Sequence, residues 1–210
     1  GATTGIAIEH SVSVNAFLMD SNLVSYTLWT DVYQWAINHG YSFGHAGAGK
    51  AANHPVQKVD WYDVVKWCNA RSEKDGLTPC YYVSTDLSPA NVYRAGTNNL
   101  GNSHVNWNAD GYRLPTEAEW ERAARGGTNG LRFPWGDTIS KTRANYFGNT
   151  YAYAYDEGPN GYHSTYSTGN EPYTSPVGIF KSGRNAYGLY DMAGNVSEWC
   201  WDWYGRSYYT

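Results

Sequence analysis

The chain of 210 residues is long enough for one large domain or two small ones, and its 41% hydrophobic content can build a core. Fifteen basic and 19 acidic groups leave a formal net charge of -4, too small and too mixed for a nucleic-acid surface or an anionic membrane. No apolar run approaches the roughly 20 residues of a membrane-spanning helix.

Ten Trp, 20 Tyr and 23 Gly against 16% charged residues point to aromatic side chains pinning turn-rich backbone rather than to long leucine-faced helices. The start, GATTGIAIEH, has neither an initiator Met nor a signal pattern and reads as a processing boundary. Three cysteines, Cys68, Cys80 and Cys200, are an odd number, so at least one thiol is unpaired within this sequence.

In SVSVNAFLMD, Val12, Val14, Ala16 and Leu18 alternate with polar residues, the period of a half-buried strand. In SYTLWTDVYQWAINHG, Leu28, Trp29, Val32, Trp35 and Ala36 fall at helical spacing, with Ser25 as N-cap and Gly40 as stop. GHAGAGK, Gly44 to Lys50, formally satisfies G-x-x-x-x-G-K but is followed by Ala51 and leaves a helix instead of a strand. A flexible connector is the reading, not a phosphate loop. A second helix runs from Asp60 as N-cap, with Trp61, Val64, Val65 and Cys68 on one face and Gly76 as stop.

Thr78 to Asp110 mixes strand-like pieces and turns. YRLPTEAEWERAARGG predicts a short helix with a Thr116–Glu119 capping box, closed by Gly126 and Gly127. FPWGD reads as a turn, Asn145 to Tyr173 as a long polar and aromatic loop of the kind that is functional or held by an ion, and TSPVGIF as a strand. No repeat or linker divides the chain.

The six histidines are scattered, without an i, i+2 or i, i+4 pair to hold a transition metal from one element, and read as surface or satisfied residues. GLYDMAGNVSEWCWDWYG is different. Asp191 and Glu198 are seven residues apart, with Gly194 between them to turn carbonyls toward a common centre, a donor set that suits calcium. By spacing alone, a solvated acidic turn is the better account. Asn195-Val196-Ser197 matches the N-x-S acceptor pattern, read as chance inside a tight turn.

Taken together, HPVQKVDWYDVVKWCNA, YRLPTEAEWERAARGG, FPWGD, TSPVG and NAYGLYDMAGNVSEWCWDWY resemble, in order, the sulfatase-modifying-factor family, whose best-known member is the formylglycine-generating enzyme. The resemblance implies an α+β, C-type-lectin-like fold of the formylglycine-generating-enzyme subclass. Such a fold is irregular and loop-rich, with few short helices and strands, and forms a single domain over 1–210 that stops before the family's C-terminal segment.

It also implies structural calcium held by Asp191, Gly194, Val196 and Glu198, and a second calcium site at Asn145 and the Tyr146 carbonyl, with Asp156 as the candidate from the long loop. Ser197 stands where the family has Trp, which loosens the turn or leaves it to be packed by Trp199 and Trp201. The family's catalytic, copper-binding cysteine pair has no match in Cys68, Cys80 or Cys200.

The expectation is therefore a calcium-stabilised, non-catalytic ligand-binding module or inactive homologue of bacterial, extracytoplasmic origin. Its ligand would be a protein or carbohydrate, as in retroelement-diversified variable proteins, and its Tyr-, Asn- and Ser-rich loops would be the recognising surface. The alternatives are a copper-dependent formylglycine-generating oxidoreductase acting on sulfatase cysteines, should a Cys pair follow Thr210, and the related sulfoxide synthase of ergothioneine biosynthesis.

Overall fold

Helices form where the sequence supplies both a cap and an apolar face, in a computed structural model that describes residues 12–203. α1 (Tyr26–Ile37) starts at Ser25, whose hydroxyl accepts the Leu28 amide at 3.2 Å, and it buries Trp29, Val32 and Ala36. That bond satisfies one of the amides a helix start leaves open. α2 (Trp61–Lys74) starts the same way, with the Asp60 carboxylate accepting the Asp63 amide at 2.8 Å. Both helices stop short of the predicted glycines, and Cys68 lies in the core as its position on the helix face implied.

The two helices lock together by ring stacking. Trp29 and Trp67 lie 5.3 Å apart and 3° from parallel, and the Trp67 indole donates to the Trp29 carbonyl at 3.1 Å. Such a pair adds roughly 1 kcal/mol beyond the area it buries. Around it gather Tyr81, Tyr93, Leu114 and Trp201 to complete the main core.

α3 (Glu117–Arg125) has the predicted reciprocal cap. The Thr116 hydroxyl accepts the Glu119 amide at 3.2 Å, and the Glu119 carboxylate accepts the Thr116 amide at 2.8 Å. Gly126 closes the helix in the left-handed region at φ 58°. The Asn185 amide then donates to the Ala123 carbonyl at 2.6 Å and to that of Ala124 at 3.2 Å. This cap ties the helix end to the segment that turns into Leu189 and Met192, which pack on Ala123 in a second, smaller core.

Arg113 clamps Glu119 with two bonds of 2.7 Å. Burial by itself would raise the Glu119 pKa, but the guanidinium and the Thr116 amide outweigh it and hold the carboxyl below its ordinary 4.5. A folded value below the unfolded one stabilises the fold above 4.5, and that contribution is lost as pH falls through the folded value. Glu119→Gln should lower the melting temperature at pH 7 and flatten the acid limb of the melting profile. An acid limb as steep as in the unaltered chain would exclude Glu119 as a source of acid lability.

Two predicted strands are absent, and among the described residues the β component consists of isolated bridges such as Tyr81–Val105 and Tyr82–Val92. Residues 12–18 form no ladder, and the predicted alternation breaks down, with Val14 half-buried but Ala16 exposed. Phe17 and Met19 face the second core, while Val12 and Leu18 are exposed. Ser11 and His10 lie outside the described residues, as does the chain after Trp203. TSPVGIF spends its amides on single partners, Val177 on the Asn53 carbonyl at 2.9 Å and Gly178 on Asp191 at 2.6 Å, and so pairs with no neighbouring strand.

The GHAGAGK loop is pinned rather than flexible. Asp63 accepts the Gly44 amide at 2.8 Å and the His45 amide at 2.9 Å, and the Trp29 indole donates to the Ala46 carbonyl at 2.8 Å. Lys50 is spent on the Tyr166 carbonyl at 2.6 Å.

Candidate functional site

The acidic turn is curled by left-handed backbone. Asp191, Gly194 and Asn195 have φ of 55°, 84° and 68°, and this reversal folds residues 191–198 back on themselves. Two anchors hold it. The Asn195 amide donates to the Asn145 carbonyl at 2.7 Å, and the Asn195 side chain accepts the Ser175 amide at 3.0 Å and donates to the Ser175 carbonyl at 3.3 Å. An asparagine committed on both sides is poorly placed as a glycan acceptor.

Asp191 and Glu198 meet at this turn. Desolvation by packed neighbours raises both pKa values, and the Asp191 charge adds to the rise at Glu198, although Glu198 stays exposed at the surface. The Asp191 carboxylate accepts the Gly178 amide, and the Trp120 indole donates to Glu198 at 3.0 Å. Neither acid forms an ion pair with a basic side chain among the described residues. Two neighbouring carboxylates without a counter-charge are hard-oxygen donors of the kind calcium takes. The Gly194 carbonyl also accepts the Val196 amide at 3.0 Å, which leaves it one lone pair for a cation. Ser197 is exposed, and Trp201 points into the main core rather than packing the turn.

The second predicted set divides. The Asn145 amide donates to the Tyr173 carbonyl at 2.7 Å, away from Asp156. Asp156 instead accepts from the Tyr146 hydroxyl at 2.5 Å, the Asn149 amide at 2.5 Å and the Gly158 amide at 2.8 Å. The Tyr146 carbonyl accepts from the Lys141 ammonium at 3.1 Å, and Lys141 also donates to the Gly161 carbonyl. A buried ammonium thus sits among the oxygens that the sequence assigned to a cation. Burial lowers the Lys141 pKa, and Asp156 counters the shift.

A cleft of about 410 Å³ opens beside the turn, lined by Asn145, Phe147, Tyr162, Glu171, Tyr173 and Asn195 among others. The sequence marked this loop as functional and gave Asn145 and Tyr146 to calcium, but assigned no ligand role to Phe147, Tyr162, Glu171 or Tyr173. Its signal was the density of aromatics alone.

Sequence reasoning also missed a grouping of His45, Asp60 and Asp63, whose ligand atoms lie within 4.8 Å of one another. The Asp63 oxygens are already committed to two amides, the His45 ring at 2.9 Å and Lys66 at 3.4 Å, so this cluster anchors the loop. His54 is a satisfied core residue, bonded to the Thr174 hydroxyl at 2.9 Å. The three cysteines are free, and desolvation pushes their pKa values to about 12 for Cys68 and about 11 for Cys80 and Cys200. Held as thiols, they are weak nucleophiles and weak metal ligands.

The chain belongs to the family described as the sulfatase-modifying factor enzyme 1-like domain, whose model matches residues 2–210. It is 32% identical over 199 residues to the chaperone protein LppX of Paenibacillus barcinonensis, covering 94% of this chain and 66% of that protein. It is 43% identical over 117 residues to the formylglycine-generating enzyme of Thermomonospora curvata, covering 51% of this chain and 35% of the enzyme. The chain therefore spans less than two thirds of the length of these relatives. Among solved structures, the Treponema denticola variable protein 1 matches with a TM-score of 0.57 and 31% identity, over 87% of this chain and 61% of that one. No helix among the described residues is long and apolar enough to cross a membrane.

Proposed function

We propose that the chain is a calcium-stabilised scaffold of the formylglycine-generating-enzyme type that acts as a non-catalytic ligand-binding module in an extracytoplasmic setting. The observation that carries this reading is the separation of chemistry from cavity. The open cleft is lined by aromatic, amide and carboxylate groups, while the three thiols are desolvated and lie outside its lining. Likeness to a variable protein supports a binding role, and likeness to the enzyme supports the scaffold.

Calcium in this reading sits at Asp191, the Gly194 and Val196 carbonyls and Glu198, where it neutralises the two acids and holds the turn against Asn145. At the second position, the Lys141 ammonium supplies the positive charge in place of a metal.

One titration tests the metal assignment. Calcium should bind at one ion per chain, chelation should lower the melting temperature, and Asp191→Ala should abolish that shift. Two ions per chain would remove Lys141 from its role, and a melting temperature indifferent to chelator would end the calcium assignment. For catalysis, incubation with Cu(I), oxygen and a cysteine-containing sulfatase peptide should leave the peptide mass unchanged. Appearance of the aldehyde would establish the oxidoreductase instead.

A further inference from the structure

We infer that the cleft beside the acidic turn is a site for an alkylated ammonium ion, an assignment of ligand class that rests on the binding-module reading. Its walls are rings set at right angles. Phe147 and Tyr162 lie 4.8 Å apart at 80°, and Tyr162 and Tyr173 lie 4.7 Å apart at 74°. Successive rings at such angles and distances pack edge to face, so they cannot form one flat platform, and the cleft wall presents aromatic surface in more than one orientation.

That geometry separates two ligand chemistries. A sugar ring presents a flat face of C–H groups and is best met by a single coplanar platform. A rounded cation draws on the negative face of every ring it can approach, so a box of differently turned faces suits it.

Charge points the same way. Glu171 is the one ionisable acid in the lining, no lysine, arginine or histidine lines the cleft, and the Tyr162 hydroxyl donates to one Glu171 oxygen at 3.3 Å, which orients the carboxylate. Phe147 is 60% exposed and Tyr162 46% exposed, so large apolar surface borders an acid that has no counter-ion among the described residues. An inorganic cation would serve Glu171 but leave the rings unused, whereas an alcohol would serve the rings but not the carboxylate. An alkylated ammonium satisfies both, its methyl groups lying against the rings and its spread charge facing the acid.

The floor of the cleft is fixed independently of any ligand. The Asn145 side chain is bonded to the Tyr173 carbonyl, and the Asn145 carbonyl receives the Asn195 amide, so this side of the cleft is held in place before anything binds. Little ordering is then required on association, which favours affinity in so small a site.

The test is a calorimetric titration of the calcium-loaded chain with choline. It runs in parallel with 3,3-dimethylbutan-1-ol, which has the same shape with carbon in place of charged nitrogen, and with a panel of methyl glycosides. Choline should bind saturably and at least about fivefold more tightly than the neutral alcohol. Glu171→Gln and Phe147→Leu, both at exposed positions, should each weaken choline binding about fivefold or more without lowering the melting temperature.

Equal affinity for the neutral alcohol, or no saturable choline binding, overturns the inference. A glycoside that binds in place of choline and is lost in Phe147→Leu would overturn the cation class while leaving the module intact. Choline binding together with oxidation of the sulfatase peptide would keep the cation site and remove the non-catalytic reading.

Discussion

Gly194→Ala should destabilise the chain by about 3 kcal/mol and abolish its response to calcium. The residue sits at φ 84°, where a Cβ costs roughly 1–2 kcal/mol. A Cβ placed there would also lie 2.5 Å from the Asn145 carbonyl oxygen, a backbone atom that cannot rotate away. The turn would have to part from Asn145, breaking the 2.7 Å bond from the Asn195 amide and shifting the segment that joins the two acids. Overpacking of this kind typically costs another 1–3 kcal/mol.

Gly130→Ala is the matched control, since it has φ 75° but nothing within 4 Å of the added carbon. Thermal melting of both variants with and without calcium separates strain from contact. If the two variants lost equal stability, the close approach to Asn145 would contribute nothing.

Asn69→Leu should cost roughly 4 kcal/mol, the largest loss expected from a single polar side chain in this fold. Asn69 is fully buried on α2 and makes four hydrogen bonds to backbone. Its amide donates to the Tyr81 carbonyl at 2.7 Å and the Tyr93 carbonyl at 3.2 Å, and its oxygen accepts the Cys80 amide at 3.1 Å and the Tyr81 amide at 3.0 Å. In a sheet, a neighbouring strand would provide these bonds. Here the bridges are isolated, and one side chain takes the place of a ladder.

Leucine is close in volume but leaves two buried amides without acceptors, at about 1–3 kcal/mol each, and strips one partner from each carbonyl. Urea unfolding with an unchanged slope would report this loss directly. A change below about 1 kcal/mol would mean that the segments near Tyr81 and Tyr93 are held by their own bridges and ring packing without Asn69.

The helices were legible because their determinants are local. Ser25, Asp60 and Thr116 each cap an amide three residues away, and the apolar spacing that follows selects the buried face. The predicted strands failed because pairing is a property of two segments. The alternation from Val12 to Leu18 met no neighbour, and its neighbours in sequence, Phe17 and Met19, took the core. The G-x-x-x-x-G-K string was read as a connector, yet nothing nearby announced that Asp63 would pin it.

The candidate site divides in the same way. Asp191, Gly194 and Glu198 lie close enough in sequence for their chemistry to be read directly. Lys141 precedes Asn145 by one turn of chain and carried no mark of its role, because the carbonyls of Tyr146 and Gly161 converge on it only after the long loop closes. Phe147, Tyr162, Glu171 and Tyr173 show no period, and their assembly into one cleft depends on ring contacts between residues far apart in the chain.

By itself the sequence determined three capped helices, an aromatic and turn-rich build, a fold family and one acidic turn, since each rests on residue types within a few positions of one another. The tertiary structure decided which side chains of the first segment are covered, the ladder role of Asn69, the ammonium beside Tyr146 and the perpendicular rings in the cleft with Glu171. Each of these depends on which backbone groups and side chains distant segments leave unsatisfied when they meet, and no local pattern carries that information.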